Sequence, residues 1–302
     1  DRFSVYDKAA ESLRNRGLLY ACYESPDEIE RRRKRLMARG LPPVYDRSAL
    51  KLTDEDRAAL EAEGKTPHWR LLLPNYTTTP FETQRTEVHW DDIIKGPQTV
   101  DLASMSDPVL IRGDGQVLYT LASVVDDTEM NITDVVRGSD HVTNTATQIQ
   151  IITALGGTVP RFAHHSLLTG PQGEALSKRL GTLALRDLRA NGIAPMAVLS
   201  HMARLGSSDP IELRATVEEV VAGFDLNKFG SAPTKFDVDD LGPLTARYLA
   251  TLPVDAVADS VAKAGVPDAL AAQFWDVVKD NIATLDDMSD WWVMFRDGAT
   301  GQ

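Results

Sequence analysis

The chain has one cysteine in 302 residues, Cys22. A single thiol excludes an internal disulfide and any zinc site built on a cysteine cluster. Long apolar runs are also missing, and no stretch approaches the roughly 20 residues of a membrane-spanning helix. There is no low-complexity segment and no fixed-period repeat. The opening Asp1-Arg2-Phe3 lacks the basic region and apolar stretch of a secretion signal. These absences together lead us to expect a cytoplasmic protein with no membrane partner. Positive charge is scarce as well: Lys and Arg total 32 against 44 Asp and Glu, a net charge of −12. That balance argues against a protein that coats nucleic acid non-specifically. The local exception is Arg31 to Arg39, with six cations in nine residues. It reads either as a solvated helix balanced by Asp27, Glu28 and Glu30 or as a contact to an RNA backbone.

What is present suggests two or three domains. Residues 3–17 carry Val5, Ala9 and Leu13 on one side and Lys8, Glu11 and Arg14 on the other, which predicts an amphipathic helix ended by Gly17. Leu18 to Tyr23 is strand-like. Ser25-Pro26-Asp27-Glu28 is a helix start with a capping box, and Thr53 to Gly64 is a second charged helix. Between 66 and 118 the pattern is mostly β, with strands at 69–73, 87–90, 99–102 and 108–112. The Thr-rich segment 75–85 reads as a mobile loop, and Arg112-Gly113-Asp114-Gly115 as a tight turn. Val117 to Ala122 and Val124 to Asp127 read as strand-like, followed by a strand at 132–137 and a helix at 143–155, the order of a parallel α/β layer. From about residue 182 onward every segment reads as helical (183–190, 195–205, 214–223, 238–251, 254–264, 267–284), with no strand.

Four groups between residues 119 and 181 carry chemistry. Ser177-Lys178-Arg179 puts two cations behind a small hydroxyl, flanked by Gly173 and Gly181. Lys offers a point charge and Arg a planar fork, and both suit phosphate oxygens. Arg137-Gly138-Ser139-Asp140-His141 ends a strand and opens a helix, where backbone amides favour an anion and Arg137 can fork onto a carboxylate. Tyr119 and Ser123 stand four residues apart, and Asp126-Asp127 follow. Taken singly, each has a structural reading as a core aromatic, a turn, an ion pair or a surface loop.

The order Tyr-x-x-Ala-Ser-Val-Val-Asp-Asp, Thr-Asp-Val-Val-Arg-Gly-Ser-Asp-His and Leu-Ser-Lys-Arg resembles the glutamyl-tRNA synthetase family, of class I, in its bacterial branch. Leu41 to Asp46, Trp90 to Gly96 and Asp107 to Arg112 resemble that family's connecting domain. Pro160 to Leu168 resembles the strand before its signature loop. Phe224 to Leu226 with Ser231 to Asp237 resemble its helical tRNA-stem domain, and Asp290-Trp291-Trp292 suits the bacterial branch. The resemblance implies an α/β plus all-α fold: the second half of a Rossmann-like catalytic domain, with a β-rich connecting domain before it and a helical stem-contact domain after it. Its implied boundaries are a residual catalytic helix at 1–20, the connecting, acceptor-binding domain at 21–117, the Rossmann-like half at 118–190, and the stem-contact domain with the start of an anticodon-binding region at 191–302. Carried over by position, Lys178 is the ATP-binding lysine of the signature loop, flanked by Ser177 and Arg179. Asp140 and His141 lie near ATP, and Tyr119, Ser123 and Arg137 line the glutamate pocket. The implied activity is ATP-dependent attachment of L-glutamate to tRNA(Glu) through a glutamyl-adenylate, with Mg2+, by a monomer.

The chain departs from the family pattern in three places. Ala175-Leu176 replaces the signature loop's usual Lys-Met. No His-x-Gly-His motif is present, nor the Arg that precedes it in the family, so the expectation is a portion of a longer enzyme, inactive alone. A non-catalytic tRNA-binding or regulatory paralogue is the alternative, and a transferase acting on a modified tRNA base is a further one. Finally, Cys22 is followed by Glu24 rather than by a second cysteine, and no zinc is expected.

Overall fold

The computed structural model describes residues 2–174, 176 and 184–298. The chain divides into two compact units, Asp1–His165 and Ser166–Gln302.

The first unit contains α1 (Phe3–Asn15), β1 (Leu19–Cys22), α2 (Pro26–Ala38), α3 (Asp54–Ala62), β2 (His68–Leu71), β3 (Glu87–Asp92), β4 (Gly96–Asp101), β5 (Val109–Ile111), α4 (Tyr119–Glu129), β6 (Asp134–Gly138), α5 (Val142–Leu155) and β7 (Arg161–His165). The expected capping box of Ser25 with Glu28 forms, and Thr53 makes a second with Asp56. The strands make two sheets. One is antiparallel in the order β1-β2-β5, with Cys22 opposite His68. The other is mixed, in the order β4-β3-β7-β6. There β3 and β4 form a hairpin, whose Gly96 adopts φ +71° to begin the return strand. β6 and β7 run parallel, joined by α5 as a crossover helix. A single parallel pair, Asp92 with Phe162, joins β3 to β7.

The core of this unit gathers Leu13 of α1, Leu71 of β2, Val88 of β3, Leu121, Val124 and Val125 of α4, and Ile151 and Ile152 of α5. Arg2 Nε and Tyr6 OH donate to the Asp126 carboxylate at 2.5 and 2.8 Å, tying α1 to α4.

Two expectations are corrected here. Residues 119–129 form a helix, not two strands. The β-branched residues suggested strands, but Leu121, Val124 and Val125 are spaced i, i+3, i+4, and that helical stripe is the one buried. The 75–85 loop is pinned rather than mobile. Asn75 is buried and donates to Leu102 O, Gln84 N donates to Asn75 O, and Tyr76 bridges Thr83.

The pin extends to Arg47, which is 3% exposed. It meets the Asp107 carboxylate twice, at 2.8 and 2.9 Å, and donates to Pro80 O, Leu73 O and the Asn75 side chain. These bonds hold Arg47 at φ +59°, a left-handed backbone that non-glycine residues rarely adopt.

The second unit contains β8 (Leu168–Thr169), α6 (Leu185–Ala190), α7 (Pro195–Met202), α8 (Val217–Ala222), β9 (Thr234–Lys235), α9 (Leu241–Thr251), α10 (Ala258–Lys263), α11 (Asp268–Val278) and α12 (Met288–Asp297). It is helical as expected, apart from β9, which pairs with β8 and corrects the reading of no strand beyond residue 182. Helix α12 was not foreseen, although Met288 and Trp292 pack with Trp275 and Phe274 in the largest core of this unit.

Candidate active site

The site is built where β6 ends and α5 begins. Strand β6 delivers Arg137, a 3-10 turn (Ser139–His141) follows, and α5 starts at Val142. Arg137 is half-buried, and its inner face is fully engaged. Nε donates to His164 Nε2 at 3.1 Å, and one Nη2 donates to Thr145 Oγ1 at 2.7 Å and to Gln148 Oε1 at 2.6 Å. The Phe162 ring lies 5.6 Å from the guanidinium carbon. Gln148 in turn donates to Ser123 Oγ at 3.0 Å. His141, Thr145 and Gln148 recur at i, i+4 and i+7 and so share one face of α5.

Behind Arg137 stands a wholly buried pair. His164 Nδ1 meets Asp92 Oδ2, and both side chains are 0% exposed. The other Asp92 oxygen accepts from the backbone N–H of His164, Ile94 and Lys95 at 3.0–3.1 Å. Burial pushes the Asp92 carboxyl up, but these hydrogen bonds outweigh it and hold the group below its ordinary range. Burial holds His164 below the ordinary imidazole range, with Arg137 adding to the push and Asp92 opposing it.

Arg137 makes no ion pair with a carboxylate among the described residues. Its acceptors are an imidazole, a hydroxyl and an amide, all neutral, and its Nη1 has no partner among the described residues. A guanidinium oriented by neutral groups keeps its charge available for an anion. Nearby Asp127, on α4, is pushed up by burial, against the pull of Arg137.

The remaining expected residues are placed as follows. Tyr119 opens α4 and is 54% exposed, with its ring edge-on to His141 at 5.8 Å between centroids. Ser123 reaches Arg137 through Gln148. Both sit on α4, so the strand read over 117–122 gives way to helix already at Tyr119. Asp140 is exposed, 3.9 Å from His141 Nε2. His141 Nδ1 also lies 3.2 Å from Asn144 Nδ2. Tyr119, Ser123, Arg137, Asp140 and His141 are thus gathered around the start of α5. Ser177, Lys178, Arg179 and Ala175 lie outside the described residues.

Asp92, His164, Thr145 and Gln148 carry the site and were not foreseen. The one local signal was the polar stripe Thr145–Gln148 on a helix that buries Ala146, Ile151 and Ile152.

A second cluster lies on the other sheet. Ligand atoms of Cys22, Glu24 and His68 come within 4.8 Å of one another. The β1–β2 register supplies His68, which linear spacing does not reveal. Burial pushes the Cys22 thiol up to about 12. Glu24 accepts from Tyr45 OH at 2.6 Å and from Ser48 Oγ at 3.2 Å. Burial lowers His68, with Arg70 adding to the push. Among the described residues these are three candidate ligands, where a structural zinc set has four.

The family model for tRNA synthetases class I (E and Q), catalytic domain, matches residues 1–243. A "Glutamate--tRNA ligase 1" of Roseobacter denitrificans is 62% identical over 301 residues, covering 100% of this chain and 66% of the relative. The protein of the same description from Ruegeria pomeroyi is 60% identical, covering 99% and 65%. The chain thus spans about two thirds of the length of these curated relatives. The solved glutamate-tRNA synthetase of Elizabethkingia anophelis superposes with a TM-score of 0.81 at 25% identity, covering 98% of this chain and 64% of that one. A glutamate tRNA ligase of Elizabethkingia meningosepticum, solved in complex with its amino acid, gives 0.80 at 25%. On the match over residues 1–243, the chain belongs to the class I tRNA synthetases (E and Q) and carries their mixed α/β catalytic fold.

Proposed function

We propose that this chain is part of a glutamate–tRNA ligase, which activates L-glutamate with ATP and transfers it to tRNA(Glu). The observation that carries the reading is Arg137: a guanidinium locked by neutral acceptors, with Nη1 left for a substrate carboxylate. Tyr119 and Ser123 line the same amino-acid pocket. Asp140 and His141 stand near the nucleotide. Lys178, with Ser177 and Arg179 beside it, follows charge onto the leaving pyrophosphate.

Adenylation needs no protein nucleophile. It needs an in-line carboxylate and cations that stabilise the transferred charge. Asp140 is the one carboxylate in the 3-10 turn, and among the described residues no cluster of three metal-ligating side chains includes it. Mg2+ bound with ATP would neutralise charge on the polyphosphate. The reaction calls on no zinc.

The finer arrangement is part of the same reading. Residues 21–117 contact the acceptor end, 118–190 complete the catalytic half, and 191–302 contact the tRNA stem, in a cytoplasmic monomer.

The test is glutamate-dependent ATP–pyrophosphate exchange, followed by charging of tRNA(Glu), by the intact protein that carries this chain. Exchange driven by a different amino acid would overturn the reading. Lys178→Ala is expected to slow exchange far more than it weakens tRNA binding. An unchanged exchange rate removes Lys178 from its role.

A further inference from the structure

We infer that Asp92 and His164 are a positioning pair, which fixes the orientation of the Arg137 guanidinium and thereby sets the affinity of the site for the substrate carboxylate. This rests on the reading of Arg137 given above and deepens it.

Asp92 Oδ1 is held by three backbone N–H groups, so the carboxylate cannot rotate. Oδ2 therefore faces His164 Nδ1, and as an acceptor it requires the imidazole hydrogen there. Nε2 is then left with a lone pair. A guanidinium nitrogen only donates, and Arg137 Nε points at that lone pair from 3.1 Å. The hydrogen position demanded by Asp92 is thus the one that makes His164 an acceptor for Arg137. Thr145 Oγ1, 3.0 Å from the same Nε2, receives one Nη2 hydrogen, and Gln148 receives the other. With Nε and Nη2 tied, Nη1 is the end of the fork that can meet a ligand. The depressed basicity of His164 agrees with a neutral ring.

A buried strut between β3 and β7 would need only shape and any hydrogen bond. A positioning pair needs one polarity. Asp92→Asn separates the two. The amide oxygen stays with the three backbone donors, so the amide N–H turns toward Nδ1. His164 must then accept at Nδ1 and carry its hydrogen on Nε2, which points a donor at the Arg137 donor.

His164→Gln and His164→Asn sharpen the test. Gln places an acceptor at the position of Nε2 and abandons Asp92. Asn keeps a donor near Asp92 and abandons Arg137. A strut favours Asn, whereas a positioning role favours Gln.

Two measurements decide. The first is 15N NMR of the imidazole and arginine side chains in the intact protein that carries this chain, with His164 assigned through His164→Gln. Wild type should show a neutral ring with hydrogen on Nδ1 and a protected Arg137 Nε–H. Asp92→Asn should move the hydrogen to Nε2 and expose the Arg137 Nε–H, in a chain whose thermal unfolding remains cooperative. The second is the exchange assay on the intact protein. Asp92→Asn and His164→Asn should raise the glutamate KM about 10- to 100-fold, the scale on which loss of an outer partner acts. The ATP KM should change less than about threefold, and His164→Gln should stay nearer wild type.

An unmoved tautomer, a still-protected Arg137 Nε–H, an unchanged glutamate KM in Asp92→Asn, or Asn outperforming Gln at position 164 would each overturn the pairing. A wild-type protein without glutamate-dependent exchange, but with the NMR result intact, would overturn the proposed reaction and leave the geometry of the pair standing.

Discussion

Arg47 and Arg137 both reach into the first unit and both are fastened by several acceptors, but only Arg47 is met by a carboxylate. Arg47 is 3% exposed and engages Asp107 at two atoms, and its other hydrogens go to backbone carbonyls and Asn75. Its charge is neutralised on the spot, and the result is a knot that holds the 75–85 segment against β2. Arg137 is fastened by an imidazole, a hydroxyl and an amide, and its acid, Asp92, stands one ring away. A guanidinium that closes on its own carboxylate builds structure. One that is aimed by neutral groups stays hungry for an anion. The same residue type thus serves stability in one place and recognition in the other, and what differs is the second partner.

The largest expected effect falls on the knot. Arg47→Met leaves Asp107 buried without its partner and should cost about 3–5 kcal/mol of folding stability, read by urea unfolding of this chain. Arg137→Met should cost less, roughly 1–3 kcal/mol for acceptors left unpaired, yet lower kcat/KM for glutamate in the intact protein about 100-fold, or roughly 2.7 kcal/mol of transition-state binding. If the two variants exchanged these profiles, the contrast between knot and site would collapse.

Acid provides a third probe. The folded-state pKa of His164 is depressed, so below the ordinary imidazole value of about 6.5 the unfolded chain takes up the proton first. The stability tied to the neutral ring is therefore complete above that value and is lost as pH falls through the lower, folded one. Once protonated, Nε2 becomes a donor facing Arg137. The glutamate KM should rise at the acid end of a profile from about pH 5 to 8, and Asp92→Asn should flatten that rise. His201 acts in the same direction on stability alone. It is 0% exposed, both ring nitrogens lack partners among the described residues, and burial lowers its pKa. His201→Phe should make unfolding less acid-sensitive without touching the glutamate KM.

The smallest effects belong to the rim. Ser123→Ala frees the Gln148 amide and should cost about 1 kcal/mol or less, seen as a few-fold change in glutamate KM. Tyr119→Phe keeps the ring against His141 and should change stability by less than about 0.5 kcal/mol.

Much of this was legible in the residues themselves. The strands read at 18–23, 69–73, 87–90, 99–102 and 108–112 each overlap an observed one, and the Ser25–Glu28 capping box follows from local pattern. So did Arg137 at the end of a strand before a helix. Helix α4 was misread because Val124 and Val125 favour strands on propensity, while burial of the 121/124/125 stripe decides for helix. The pair Asp92–His164 could not be read locally at all. Its members lie 72 residues apart and meet through one parallel strand pair, whose register is a tertiary property.

That single pair has a consequence for the order of assembly. Residues 134–165, with β6, α5 and β7, contain Arg137, Thr145, Gln148 and His164, so most of the network belongs to one short, local crossover unit able to form early. Asp92 arrives only when β3 docks on β7 at Phe162. Until then the imidazole is free to carry its hydrogen on either nitrogen, and docking selects one. The docking of β3 on β7 and the choice of a proton's address are the same event.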